Sequence, residues 1–340
     1  MTKETEHSDL IADIGLRAAV AGRQWRPGLQ VDNVRPLTGG TSSLTFIADV
    51  SDGGNAESVV LKVAPPGLEP VRNRDVIRQG RVMRALQSIP GVAAPAVHFE
   101  DAARPPFVAM EMVPGECVEP LLVADRPRDE ATRAQTRARY LDAARMLGHL
   151  HSVSPADIGL GDEPVLSLGD EIDRWTRAFE TIPDDLRGDY PTCAKALHAT
   201  MPASAAPVVN HGDYRLGNTL CDGNRVTAII DWEIWSVGDP RIDLTWLTYF
   251  TDEVRHPAAA FDEPCGTPTV AEVTATYEET LGRTVEDIEW FHALTRYKEA
   301  AATALLIKRA RRRGTLSPAF QRMEPALPGL LTEALEFIGY

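Results

Sequence analysis

Apolar and polar positions alternate through the first third of the chain. Over 44–50, Leu44, Phe46, Ala48 and Val50 fall on one face, the period of a half-buried strand. The turn-forming run SDGGN (51–55) follows, and ESVVLKVA (57–64) again has strand character, so the two runs predict a hairpin. A short amphipathic helix is expected over 8–24 and another helix over about 70–88, with further strands near 95–100 and at 106–113. Pro114 and Gly115 interrupt this pattern, and the period then becomes helical. Tyr140, Ala144, Leu147 and His151 line one stripe, and Trp290, Leu294, Tyr297, Ala301 and Leu305 line another. A strand-rich insert, 207–231, lies between them. The pattern predicts an α+β chain with a small β-rich lobe over 1–113, including the N-terminal helix, and a larger, mostly helical lobe over 114–340.

Composition narrows what such a chain does. Its 340 residues suffice for two lobes, and a formal net charge of −14 argues against a nucleic-acid binder that relies on general phosphate attraction. Cys117, Cys193, Cys221 and Cys265 are scattered without a C-x-x-C pair, so neither a zinc site nor a disulfide framework is expected. The polar, acidic start lacks the features of a signal peptide, and no apolar run approaches the roughly 20 residues of a membrane helix. A cytoplasmic protein without membrane partners is the expectation.

The candidate chemistry is concentrated in VVNHGDYRLGNTLCDGNRVTAIIDWE, residues 208–233. A strand end, a loop and a hairpin turning at Gly223–Asn224 would bring Asp213, Asn218 and Asp231 to one end of a small sheet. Two carboxylates and an amide oxygen form a hard-oxygen set suited to Mg²⁺, which takes its other ligands from water and phosphate. Two of the three would hold the ion, leaving the third to act as a base. Taken singly, each is read more plainly as a turn former or a strand end. Together they carry the Asp-x₄-Asn spacing of a kinase catalytic loop, followed by a metal-binding Asp on the next hairpin.

With its H-G-D-x-x-x-x-N string, the segment resembles the aminoglycoside phosphotransferase-like family of small-molecule kinases, related to the choline kinase type. The longer run HGDYRLGN…IIDWEIWSVGDPRIDLTWL is most similar to the branch that includes hydroxyacyl-CoA kinase domains fused to acyl-CoA dehydrogenases. The resemblance implies a bilobal protein kinase-like fold. It assigns Asp213 as the base that orients and deprotonates a substrate hydroxyl, with Asn218 and Asp231 as Mg²⁺ ligands. It implies that Gly39, Gly40, Thr41 and Ser42 form a turn over the nucleotide phosphates, and that Lys62 reaches the α/β phosphates from its strand. Val60 would lie under the adenine, with Met110, Glu111 and Met112 at the segment that joins the lobes. His211 is expected to fix loop geometry, Glu233 to support the metal through water, and Asp243 to brace the loop from the following helix.

One position departs from the family pattern. Where the family carries a Glu that pairs with the strand lysine, this chain has Gln79, which can accept from Lys62 but brings no counter-charge; Asp75, one turn earlier, could substitute. The leading expectation is transfer of the γ-phosphoryl group of ATP to a hydroxyl of a small molecule, either a hydroxyacyl-CoA or other hydrophobic alcohol, or an aminoglycoside. The alternative, favoured by Gln79, is a nucleotide-binding pseudokinase. A protein kinase fits less well, since no A-P-E-type segment follows Asp231. The acceptor, ATP against GTP, and the oligomeric state stay open. If the acyl-CoA reading holds, the partner is a separate acyl-CoA dehydrogenase. The basic run KRARRR (308–313) reads as a solvated helix end, with a phosphate-binding patch as the minority reading.

Overall fold

The structure is a computed structural model that describes residues 3–37, 44–123, 126–259 and 263–340, without the side chains of 3–7 and Arg72. Gly39, Gly40, Thr41 and Ser42 lie outside the described residues. The chain divides into two compact units, Met1–Gly115 with Thr227–Trp235, and Glu116–Val226 with Ser236–Tyr340.

The first unit is built on an antiparallel five-stranded sheet of order β1-β2-β3-β5-β4. Its strands are β1 (Gln30–Pro36), β2 (Leu44–Ser51), β3 (Ala56–Val63), β4 (Val97–Asp101) and β5 (Phe107–Glu111). The expected hairpin is present, with Leu44 opposite Val63 and Ser51 opposite Ala56. Alternation sorts the two faces. Phe46, Ala48, Val50, Val59, Leu61, Val63, Phe107 and Ala109 form one core with Ile14, Ala18 and Ala21 of helix α1 (Lys3–Trp25). Burying Ile14 alone is worth about 1.5–3 kcal/mol. The other face carries Val60 and Lys62, which pair across the ladder with Met110 and Val108. Helix α2 (Val76–Leu86) is capped by the Asp75 carboxylate, which accepts from the Arg78 N–H, and it packs against β4 and β5.

A single cut after residue 113 does not describe these units, because 227–235 groups with the first one. The Ile229 N–H donates to the Ala93 carbonyl at 2.8 Å, and the Arg78 guanidinium donates to the Trp235 carbonyl at 3.1 Å while lying 3.7 Å from the centre of its ring.

The second unit is mostly helical. It contains α3 (Glu130–His151), α4 (Leu168–Phe179), α5 (Asp184–Arg187), α6 (Tyr190–Ala199), α7 (Arg241–Tyr249), α8 (Val270–Leu281), α9 (Ile288–Arg313), α10 (Pro318–Met323) and α11 (Leu327–Phe337). The short strands β6 (Val165–Leu166), β7 (Val208–Asn210) and β10 (Ser236–Gly238) form a sheet of order β6-β10-β7, while β8 (Thr219–Asp222) and β9 (Arg225–Ile229) form the expected hairpin. Both predicted stripes lie on buried helices. α9 contacts α4, α6, α7 and α11 and is buried on nearly every side over its first four turns, so its pattern is only partly amphipathic. Arg311 bridges Asp185 and Glu324, and α9 ends at Gly314. Among the described residues no helix is long and apolar enough to cross a membrane.

Burial in this unit pushes the imidazoles of His151, His256 and His292 down to about 3, about 3 and about 4. The unfolded chain takes up these protons near pH 6.5 and the folded chain only near 3–4, so stability falls as pH drops below about 6.5. Thermal melts are expected to show a Tm lower by about 5 °C or more at about pH 5 than at about pH 7.5. A Tm that stays flat over that interval would show that these rings are charged or hydrated in the folded protein.

Candidate active site

The loop 211–218 leaves the edge strand β7 and is held by groups from every side of the helical unit. At its start, the N–H groups of His211 and Gly212 donate to the two carboxylate oxygens of Asp243 at 2.5 and 2.9 Å. Asp243 stands in the first turn of α7 and is fully buried. Burial raises its pKa, and the surrounding positive groups and the two amides only partly offset this. The expected bracing role of Asp243 thus has a specific form, one carboxylate spanning two consecutive peptides. Gly212, where a protein kinase has arginine, has φ +85°, a backbone region that side-chain-bearing residues rarely adopt. His211 contributes geometry, its Nδ1 accepting from the Asp213 N–H at 3.2 Å.

Asp213 is half-buried with its carboxylate well occupied. Oδ1 accepts from the Trp246 indole N–H at 2.6 Å and from Arg215 Nε at 3.2 Å, and Oδ2 accepts from Asn218 Nδ2 at 2.7 Å. Burial alone would raise this carboxyl, but the positive charges of Arg215 and Lys298, His211 and the indole N–H hold it below its ordinary value. It is therefore ionised at neutral pH. A carboxylate has about four lone-pair sites, and these bonds leave one, on Oδ2.

Asn218 also donates to the Asp213 carbonyl at 2.9 Å, so both amide hydrogens are committed and its Oδ1 makes no hydrogen bond among the described residues. Beneath the loop, the buried Glu119 accepts from the Gly217 N–H at 3.0 Å and from the Tyr140 hydroxyl at 2.5 Å, and lies 3.6 Å from Arg215. Tyr214 donates to the Ala143 carbonyl in α3 at 2.8 Å. Sequence reasoning missed Glu119, Arg215, Trp246 and Lys298. Of these, only Arg215 and Trp246 lie within the quoted family string, and none has a spacing that marks it.

In the first unit, Lys62 Nζ donates to Asp231 Oδ1 at 2.6 Å. Asp231 adopts φ 65°, ψ 53°, a left-handed conformation uncommon for a residue with a side chain. Neither expected α2 partner meets the lysine. Gln79 donates to the Asn73 carbonyl at 3.1 Å, and Asp75 is occupied as the helix cap. Val60 shares the lysine's face; Met110 is buried and Met112 exposed, and the Glu111 N–H donates to the Ala96 carbonyl. Asp213 and Asn218 thus come together in one unit, and Lys62 and Asp231 in the other.

A sequence model described as the phosphotransferase enzyme family matches residues 33–275, well over half of the chain and including both groups of residues. The chain belongs to that family. Among relatives of this phosphotransferase, acyl-CoA dehydrogenase family member 11 of Mus musculus is 25% identical over 305 residues, covering 84% of this chain and 38% of that protein. Acyl-CoA dehydrogenase family member 10 of Mus musculus is 25% identical over 288 residues, 80% of this chain and 26% of that protein. The phosphotransferase chain thus spans well under half the length of these relatives. Among solved structures, a Ralstonia eutropha protein of the aminoglycoside phosphotransferase type superposes with TM-score 0.72 at 21% identity, covering 95% of this chain and 98% of that one. A choline/ethanolamine kinase family protein from Mesorhizobium loti superposes with TM-score 0.56 at 16% identity, covering 96% and 95%. These two show the same kinase-like fold.

The packing under the loop makes Gly217 a sensitive position. A Cβ there would collide with the Arg215 guanidinium and lie 3.2 Å from the Glu119 Cβ. Gly217→Ala is expected to displace Arg215 from Asp213 and lower kcat by about 10–100-fold, with a Tm change of only a few degrees. An unchanged kcat would show that Arg215 is not needed to place Asp213.

Proposed function

We propose that this chain transfers the γ-phosphoryl group of ATP to a hydroxyl of a small molecule, with the first unit as the nucleotide-binding lobe and the second as the catalytic and substrate lobe. The observation that carries this reading is the Asp213 carboxylate, ionised, fixed by three donors and left with one lone pair for an acceptor. The hydroxyl oxygen attacks the γ-phosphorus, the bond to the β,γ-bridging oxygen breaks, ADP leaves, and the hydroxyl proton passes to Asp213 and then to solvent. A carboxylate of low basicity acts mainly by orienting the hydroxyl and takes its proton late, which suits a loose transition state.

Lys62 contacts the nucleotide phosphates in this reading, and Val60, Met110, Glu111 and Met112 contact the adenine. Asn218 and Asp231 would hold Mg²⁺. The donor set fits that ion, because Asn218 Oδ1 makes no hydrogen bond among the described residues and Asp231 Oδ2 accepts none from Lys62. When bound, Mg²⁺ offsets the phosphate charge that builds up during transfer.

The acceptor class is a hydroxyacyl-CoA or a related hydrophobic alcohol, and the partner an acyl-CoA dehydrogenase acting on the same thioester. This choice is supported by relatives that carry acyl-CoA dehydrogenase names. Aminoglycosides are the competing class, supported by fold neighbours such as an ADP-bound aminoglycoside phosphotransferase. A second reading, nucleotide binding without turnover, is favoured by one observation: the Gln79 amide is committed to Asn73, so α2 gives Lys62 no acid.

The test is mass spectrometry on the protein with Mg²⁺-ATP, several hydroxyacyl-CoAs and several aminoglycosides. A hydroxyacyl-CoA is expected to gain one phosphoryl group. Asp213→Asn should slow this by about 10²–10⁴-fold while ATP still raises the melting temperature. Nucleotide binding with no phosphorylated alcohol and no ATP hydrolysis would favour the second reading. Phosphorylation of an aminoglycoside alone would overturn the acceptor class.

A further inference from the structure

Lys298 has no role in the assignments above, yet it occupies an unusual place. It lies in α9 at 4% exposure, and among the described residues no carboxylate comes within ion-pair distance of its Nζ. A buried ammonium without a direct counter-ion is costly, and a methionine of similar length would fill the same space without that cost. Its contacts show where the charge acts. Nζ donates to the Gly212 carbonyl and lies 3.8 Å from the centre of the Trp246 ring, with Trp175 on another side at 5.9 Å.

Both principal contacts lead to Asp213. The Gly212 carbonyl belongs to the peptide whose N–H is that of Asp213, and that N–H is itself held by His211 Nδ1. One peptide plane is thus pinned at its oxygen by Lys298 and at its nitrogen by His211. The Trp246 indole, under the ammonium, donates to Asp213 Oδ1 at 2.6 Å. A cation on the face of an indole is attracted to the ring and holds it in place. We propose that Lys298 is a positioning residue for phosphoryl transfer, fixing the Asp213 backbone through the Gly212 carbonyl and the Asp213 carboxylate through Trp246.

The proposal rests on the reading of Asp213 as the base, so its test has one arm that needs no turnover. In ¹⁵N-tryptophan-labelled full-length protein, the Trp246 indole N–H resonance, assigned with Trp246→Phe, should lie downfield because its acceptor is a carboxylate. Lys298→Met should move it upfield, and Lys298→Arg should return it most of the way. In the kinetic arm, Lys298→Met should lower kcat by about 10–100-fold, with KM for ATP within about twofold and partial recovery in Lys298→Arg. Trp246→Phe should lower kcat by about tenfold, and the double variant should lose little more than the worse single variant, because both act through one carboxylate.

An indole resonance unmoved by Lys298→Met would overturn the proposal. So would multiplicative kinetic losses, or a loss of rate that only follows the fraction of folded protein. If the resonance shifts as expected but Asp213→Asn turns over at the wild-type rate, the base reading of Asp213 fails and the positioning of its carboxylate stands.

Discussion

One buried carboxylate carries the geometry of the catalytic loop. Asp243, fully buried, accepts the N–H groups of two consecutive residues, His211 and Gly212. Amides left unsatisfied there would cost about 1–3 kcal/mol each, so the loop and the first turn of α7 form as one piece. The turn this imposes needs φ +85° at residue 212, which accounts for glycine beside Asp213. The other supports of the loop presuppose this connection. Glu119 receives the Gly217 N–H, Tyr214 reaches back to α3, and Asn218 closes onto the Asp213 carboxylate and carbonyl. These bonds act further along a segment whose start is already held.

The same network sets the charge of Asp213. Placing a carboxylate in a half-buried pocket raises its pKa, and nearby positive charge reverses that. Arg215 and Lys298 supply it, one from within the loop and one from a helix more than eighty residues downstream. The result is an ionised acceptor with three of its lone pairs occupied. Such a group has little freedom to rotate, and in the proposed reaction it would accept a hydroxyl in one orientation. For a reaction whose catalysis is mostly positioning and charge stabilisation, that restriction serves the chemistry better than basicity would.

How far the sequence foretold this depended on whether the information was local. Alternation over 44–50 and 57–64 fixes the hairpin and places Val60 and Lys62 on one face, because strand geometry leaves no other choice. The spacing of Asp213, Asn218 and Asp231 was legible because three oxygen-bearing side chains recur within twenty residues of turn-rich chain. Lys298 was not, since a lysine in a long helix looks like any solvated one, and only the packing of α9 against α7 shows that it is buried. Glu119 and Trp246 were missed for the same reason. The expected Lys62–Gln79 contact fails because Gln79 faces inward at the start of α2, where the Asn73 carbonyl needs a donor, while Lys62 meets a full negative charge on Asp231.

Asp243 holds the start of the loop before any ligand arrives, and hydrogen–deuterium exchange of the free protein, followed in peptides covering 208–218, is the measurement that decides this. The amides of His211 and Gly212 are expected to exchange as slowly as those of the central turns of α3 and α9, because opening them requires removing Asp243 from its buried position. Exchange at the rate of the surface turn at 51–55 would contradict the account. It would mean that the loop is ordered by nucleotide or acceptor, and that Asp243 does not hold it in advance.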